Sequence, residues 1–275
     1  MRIPFTKAHG AKNDFLLTWA ADAPDKDLVP TSIAICDRYT GAGGDGWLLV
    51  SRPPTGVTEY DIQIRLFNSD GSEVEMSGNG TRCAAAFLLD SGVAKQDITI
   101  LTGAGLKHLH LLKADGLKYN FEMNMGQPKY AADEVRYNLV VGVDAFDCTI
   151  LNVGNPQCAV FLEDFDIDWR AAGAAIERHP HFPNRTNVSF IRQVDEHTID
   201  VRFFERGAGE TMSSGTGSTG AAVASVLRGL VRSPITVRTP AGPLELKWGG
   251  TAQDVLMTGP AEIVARGEFY YGSER

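Results

Sequence analysis

Two serines stand out for where they sit. Ser77 opens the run Gly-Asn-Gly-Thr81, and Ser214 opens Gly-Thr-Gly-Ser218, so each hydroxyl comes just ahead of a glycine-laced segment. A run of small and apolar residues follows each segment: Cys83-Ala-Ala-Ala-Phe-Leu-Leu89 in one case and Ala221-Ala-Val-Ala-Ser-Val-Leu227 in the other. These runs predict helices over about 81–91 and 218–228, with Gly92 and Gly229 at their C-caps. A helix N-terminus presents free backbone N–H groups and the positive end of its dipole, so two such ends suit a substrate bearing carboxylates. Two acid/base groups on either side of one carbon can remove a proton from a stereocentre and return one to the opposite face. That inverts configuration without a cofactor. A thiol suits the task, with a reference pKa of about 8.5 that falls further at a helix N-terminus. A serine hydroxyl is a poor base unless a neighbour activates it.

The elements that must position these serines repeat. At the offset that carries Ser77 onto Ser214, Arg65 falls on Arg202, Phe67 on Phe204, Glu73 on Glu210, Gly80 on Gly217, Ala84-Ala85 on Ala221-Ala222 and Gly92 on Gly229. Ahead of each loop, Ile62, Ile64 and Leu66, and then Ile199, Val201 and Phe203, alternate with polar residues as half-buried strands do. Further strand-like stretches occupy 47–50, 98–101, 106–112, 148–153, 235–237 and 244–248. The expected architecture is α+β: two pseudo-symmetric halves, each a mixed sheet around a central buried helix, with the site in the cleft between them. The first half spans about 1–118 and the second about 119–263.

Composition bounds the rest. The chain has 275 residues, 43% apolar and 22% charged, enough for a sizeable core. A net charge of −8 argues against a phosphate-tracking nucleic-acid surface but leaves room for a local anion site. The N-terminal MRIPFTKAHGAKNDF lacks the apolar stretch of a signal peptide, and no run of about 18 apolar residues suggests a membrane span. Cys36, Cys83, Cys148 and Cys158 show no CxxC spacing and read as reduced thiols of a cytoplasmic protein. His108 and His110 have no nearby cysteine or carboxylate to complete a zinc site, so no metal is expected. Gly41–Gly46 fits GxGxxG but precedes a strand-like WLLV, and Gly215–Gly220 lacks an acidic residue about 20 positions on, so neither reads as a dinucleotide loop. There is no P-loop and no GxSxG nucleophile elbow.

Several longer motifs carry a resemblance: HGAKNDF at 9–15, CDRYTGAGGDG at 36–46, FNSDGSEVEMSGNGTRC at 67–83, GNPQCAV at 154–160, FPNRTNVSF at 182–190, ERGAGETMSSGTGS at 205–218 and MTGPAE at 257–262. The chain resembles the diaminopimelate epimerases nearly end to end. The resemblance implies a cofactor-independent isomerase that converts LL- to meso-diaminopimelate in lysine and peptidoglycan biosynthesis. It implies acid/base positions at Ser77 and Ser214. It implies that Asn13, Asn68, Asn155 and Asn187 hold the distal amino-acid end of the substrate. Glu205 and Arg206 would grip its ammonium and carboxylate, and Gly78-Asn79 and Gly215-Thr216 would bind the carboxylate at the reacting centre. Family members are often homodimers, and their final residues, here 264–275, return to the first half. The only other partner implied is a small amino acid with carboxylates.

The chain also departs from the pattern. The family has cysteine at both acid/base positions and usually histidine where Gln157 stands, and Lys12 replaces a small residue. Cys83 lies about 240° further round the helix from Ser77, and Cys158 reads as structural, so neither restores the pair. Three readings stay open: serines activated by neighbours, with Glu73 and Glu210 as candidates; serines introduced in place of cysteines; or a diverged homologue. The last would be a silent binder of an amino acid or a lyase that dehydrates a hydroxylated amino or imino acid.

Overall fold

The computed structural model describes residues 1–272. The chain divides into two compact units: Met1–Met123 with the described residues from Gly259 on, and Asn124–Thr258. In chain order the first contains β1 (Arg2–Gly10), β2 (Asn13–Trp19), α1 (Leu28–Cys36), β3 (Gly46–Ser51), β4 (Ile62–Asn68), β5 (Glu73–Val74), α2 (Gly78–Asp90), β6 (Asp97–Thr102), β7 (Gly105–Asp115) and β8 (Lys118–Asn124). Strands β1 and β2 are antiparallel, β2 and β3 parallel, β3 and β4 antiparallel, and β4 and β6 parallel. Antiparallel β6–β7 and β7–β8 pairs complete the sequence. Parallel neighbours need a long crossover, and α1 and α2 supply the two. The alternation read in residues 62–66 holds: Ile62, Ile64 and Leu66 are buried while Gln63 and Arg65 are exposed. Every residue of α2 from Gly78 to Leu88 is buried, as expected for a helix without a polar face.

The second unit repeats this order: β9 (Tyr137–Val141), β10 (Asp144–Asn152), β11 (Pro156–Phe161), α3 (Trp169–Glu177), β12 (Asn187–Gln193), β13 (Thr198–Glu205), β14 (Gly209–Thr211), α4 (Gly215–Leu227), β15 (Ile235–Thr239) and β16 (Gly242–Lys247). Antiparallel β10–β11, parallel β11–β12, antiparallel β12–β13 and parallel β13–β15 match the first unit step for step. Helix α4 is buried from Gly215 to Ser225. The last strand, β17 (Leu256–Tyr270), pairs through Leu256–Thr258 with β16 and from Glu262 to Tyr270 with β1. Each unit is thus a mixed sheet with a central buried helix, the α+β class expected.

Two boundaries fall elsewhere than the sequence suggests. Strand β8 is hydrogen-bonded along β7, which keeps residues up to Met123 in the first unit, and β17 returns to that unit from Gly259. The expected return of 264–275 is described to residue 272; residues 273–275 lie outside the described residues. Both helices also begin three residues before the expected positions. The glycine-rich segments form the first helical turn, because the serines ahead of them are N-caps. Among the described residues no helix is long and apolar enough to cross a membrane.

Candidate active site

The two N-caps have nearly the same backbone. Ser77 has φ −129° and ψ 124°, and Ser214 has φ −137° and ψ 121°. Each Oγ accepts a hydrogen bond at 3.1 Å from the N–H three residues on, Gly80 for Ser77 and Gly217 for Ser214. The first full helical bonds follow, Thr81 N–H to Ser77 O at 2.8 Å and Ser218 N–H to Ser214 O at 2.9 Å. Gly78-Asn79 and Gly215-Thr216 therefore occupy the first two helical positions, whose N–H groups have no partner within the helix. That is the arrangement that receives a carboxylate.

The hydroxyls differ in what they can donate to. Ser214 is buried, and its Oγ donates to Glu205 Oε2 at 2.7 Å. The other carboxylate oxygen, Oε1, accepts from Thr211 Oγ1 at 2.6 Å. The β13–β14 hairpin makes this possible, since Glu205 pairs with Gly209 and Phe203 with Thr211. Burial pushes the Glu205 carboxyl above its ordinary range, against the opposing pull of the Thr211 and Ser214 hydrogen bonds. Ser77 is half-buried, and among the described residues of its own unit no carboxylate accepts its proton. The two candidate activators do not reach the serines: Glu73 forms a two-point ion pair with Arg65 at 2.8 and 3.0 Å, and Glu210 does the same with Arg170 at 2.6 and 2.8 Å. These exposed carboxylates face surface guanidiniums, so both are set aside as activating bases.

The asparagines serve the serine loops in parallel ways. In the first unit Asn79 Nδ2 donates to Asn13 Oδ1 at 3.2 Å, and Asn13 Nδ2 donates to Asp45 Oδ2 at 2.7 Å. In the second, Asn155 Nδ2 donates to Thr216 Oγ1 at 3.2 Å, and Gln157 Nε2 donates to Asn155 Oδ1 at 2.7 Å. Asn187 accepts from the Arg206 backbone N–H at 3.0 Å and donates to Pro156 O at 3.0 Å, fastening the strand end that carries Glu205. Asn68 is engaged away from Ser77: its Nδ2 donates to Ser72 Oγ at 3.0 Å and closes the Asn68–Ser72 turn. Arg206 Nη1 donates to Asn184 O at 3.2 Å. Among the described residues Glu205 and Arg206 do not pair with each other.

Some contributors lay outside the sequence reading. Asp45, in the GAGGDG segment, also accepts from Arg38 Nη2 at 2.8 Å and from the Asp14 N–H at 3.1 Å, so the carboxylate that seats Asn13 is itself held. Burial works against ionised Asp14, but hydrogen bonds from Arg38 and Lys7 hold its pKa below the usual carboxylate range. Arg82 is fully buried and has no carboxylate partner among the described residues. It donates to Pro260 O at 3.0 Å, Gly78 O at 3.3 Å and Asn79 Oδ1 at 2.6 Å. Burial lowers its pKa to about 10, which leaves it charged at neutral pH. The signal that pointed to these residues was present in the quoted motifs, but only the fold shows which atoms they hold. The four cysteines are all buried. Burial pushes the Cys36 and Cys83 thiols up to about 12, while a hydrogen bond with Cys148, together with burial, raises that of Cys158. None of these three offers a ready thiolate.

The chain is 42% identical over 280 residues to a diaminopimelate epimerase of Azoarcus sp., covering 98% of this chain and 99% of the relative. It is 39% identical over 281 residues to one of Pelotomaculum thermopropionicum, covering 97% and 99%. Among solved structures, the fold matches a hydroxyproline epimerase from Agrobacterium vitis with a TM-score of 0.75 at 14% identity, over 99% of this chain and 93% of that one. It also matches a methylitaconate-delta-isomerase with a TM-score of 0.63 at 14% identity, over 98% and 95%. The family model described as diaminopimelate epimerase covers residues 5–131 and 149–264, and the chain belongs to that family of isomerases.

Proposed function

We propose that the chain performs its family's acid/base chemistry on diaminopimelate, removing and returning the proton on an α-carbon without an organic cofactor. The observation that carries this reading is the hydrogen bond from Ser214 to Glu205 at a capped helix N-terminus. A serine hydroxyl becomes a competent base only when something takes its own proton, and Glu205 stands where that proton would go. Burial raises the pKa of that carboxyl, so its affinity for the proton exceeds that of an ordinary glutamate. The free N–H groups of the α4 first turn would hold the substrate carboxylate, whose negative charge increases as the α-proton leaves. Diaminopimelate as substrate, the place in lysine biosynthesis, a cytoplasmic setting and a homodimeric state come with the family. Ser77 is the second acid/base position by the same motif.

The test follows the α-proton signal of LL- and of meso-diaminopimelate by NMR in D₂O. Exchange that needs the protein supports the reading. No exchange of either substrate, with the protein folded and the substrate bound, would leave a binding protein on an isomerase scaffold.

A further inference from the structure

Resting on that reading, we infer that Glu177 is a positioning residue: from the end of α3 it holds the β13–β14 turn so that Glu205 stays aimed at Ser214. The carboxylate is 2% exposed and belongs to the last residue of the helix. Its Oε1 accepts from the Gly207 backbone N–H at 3.1 Å. Gly207 lies inside the turn, two residues beyond Glu205, with φ 78°. The N–H just before it, that of Arg206, is the one that Asn187 Oδ1 accepts at 3.0 Å. Two successive N–H groups of the turn are therefore each tied to a side chain from another element. The tie at Gly207 is the charged one, and a hydrogen bond to an ionised acceptor is the stronger kind.

Helix α3 meets the hairpin along one face. Arg170, Gly173 and Glu177 follow one another along the helix at spacings of three and four, which places them on the same side. Arg170 pairs with Glu210 at 2.6 and 2.8 Å. A Cβ added at Gly173 would lie 2.8 Å from Phe204 Cβ and Cγ, so the helix rests directly on the strand residue beside Glu205. That close approach brings Glu177, one turn further on, to the backbone of Gly207. The Arg170–Glu210 pair is exposed, and an exposed pair contributes little. The Glu177 bond comes from a buried group and is directional. It restrains the backbone that carries Glu205, whose carboxylate must meet Thr211 at 2.6 Å and Ser214 at 2.7 Å together. Hydrogen bonds that short tolerate little displacement. Arg178 and Arg185 donate to the Glu177 carboxylate at 3.1 and 3.3 Å from exposed guanidiniums, which offsets its charge. The role assigned to Glu177 rests on its reach to Gly207, not on that charge.

The experiment compares Glu177→Gln with Glu177→Asp, which separate reach from charge. Gln keeps an oxygen at the same distance for the Gly207 N–H and loses the charge. Asp keeps the charge and draws it back by one methylene. Two quantities are read for each variant and for the unmodified chain. One is the protection of the Gly207 amide against hydrogen exchange, by NMR. The other is the rate of α-proton exchange of diaminopimelate in D₂O at saturating substrate, per folded protein, with thermal melts giving the folded fraction. Glu177→Asp is expected to lose the Gly207 protection and at least about tenfold of the saturated rate, because small misplacements of a reacting group cost that much or more. Glu177→Gln should keep both within a few-fold. A purely structural role would lower the melting temperature and leave the saturated rate of the folded protein alone. Full rate in Glu177→Asp would overturn the inference, and so would a loss in Glu177→Gln as large as that in Glu177→Asp, since the effect would then follow charge. The proposed function stands in both of these cases, because the unmodified chain exchanges. No exchange by the unmodified chain would overturn the proposed function and the inference with it.

Discussion

Helices α2 and α4 are copies in backbone and opposites in charge. Both start at a serine cap with the same dihedrals, run for 13 residues, and are followed by a glycine in the left-handed region, Gly92 at φ 94° and Gly229 at φ 73°. Beneath the first turn of α2 lies a fully buried guanidinium, Arg82, bonded among the described residues to carbonyl and amide oxygens. In α4 the same register position is Thr219, whose hydroxyl turns back onto Gly215 O at 2.8 Å. Beside the cap of α4 stands the half-buried Glu205; the residue at its register in the first unit, Asn68, is bonded to Ser72 instead. The α2 end therefore adds a whole positive charge to its helix dipole, while the α4 end sets a carboxylate against its own. On the proposed function, the two repeated caps are anion cradles of which the α2 end is suited to holding charge and the α4 end to moving a proton.

Breaking the second role gives the largest expected effect. Glu205→Gln keeps an acceptor for Thr211 or Ser214 but cannot take a proton. Loss of a general base typically costs about 10²–10⁴-fold, so α-proton exchange should fall at least about 100-fold while substrate still binds. The unmodified chain should also show a pH profile that rises through the Glu205 pKa. Because burial sets that pKa above the ordinary range, the carboxylate form needed as acceptor fills later than it would for an exposed glutamate. Undiminished exchange in Glu205→Gln would remove Glu205 from the relay.

Packing at the two caps allows a second, smaller contrast. A Cβ added at Gly217 would lie 2.8 Å from Phe203 Cδ1 and 3.0 Å from Ser214 Cβ. At Gly80 the nearest atoms would be Ser77 Cβ at 3.3 Å and Leu48 Cδ1 at 3.5 Å. Gly217→Ala should therefore destabilise by about 1–3 kcal/mol through overpacking against an aromatic ring. Gly80→Ala can recover up to about 1 kcal/mol of helix propensity and should end near neutral. Urea midpoints of the two variants, measured side by side, check the ordering. Equal losses would mean that the two caps are packed alike.

How far these differences could be read from sequence depends on how local they are. The strand at 62–66 and the two small-residue helices follow from alternation and composition, so their existence was legible. Their first turns were not, because glycine-rich segments read as turns until a serine is seen capping them. The repeat register already set Glu205 opposite Asn68 and Thr211 opposite Val74. The consequence stayed hidden because Glu205 reaches Ser214, nine positions on, only through the β13–β14 hairpin. The same limit made Glu73 and Glu210 look like candidate bases: they lie closer in sequence to the serines, but their strands turn them toward Arg65 and Arg170. Arg82 is a third case, since nothing in its neighbours' types announces a guanidinium without a carboxylate.

The smallest expected effect is on stability, and it isolates the charge of Glu205 from its chemistry. Its carboxyl has a higher pKa folded than unfolded, so the folded state binds the proton more tightly. That contribution is fully present below the unfolded pKa, where the group is neutral in both states. It is lost as pH rises through the folded pKa, because folding must then hold a desolvated carboxylate. Glu205→Gln cannot ionise and escapes this loss. Its melting temperature should therefore match that of the unmodified chain at a pH below the ordinary glutamate range and exceed it at neutral pH. Asn68→Gln, at the equivalent position of the other cap, has no ionisation to remove, so any change it makes should not vary across that pH range. A Glu205→Gln shift equally independent of pH would mean that the carboxyl ionises as readily folded as unfolded. The two helix caps would then differ in hydrogen bonding but not in electrostatics.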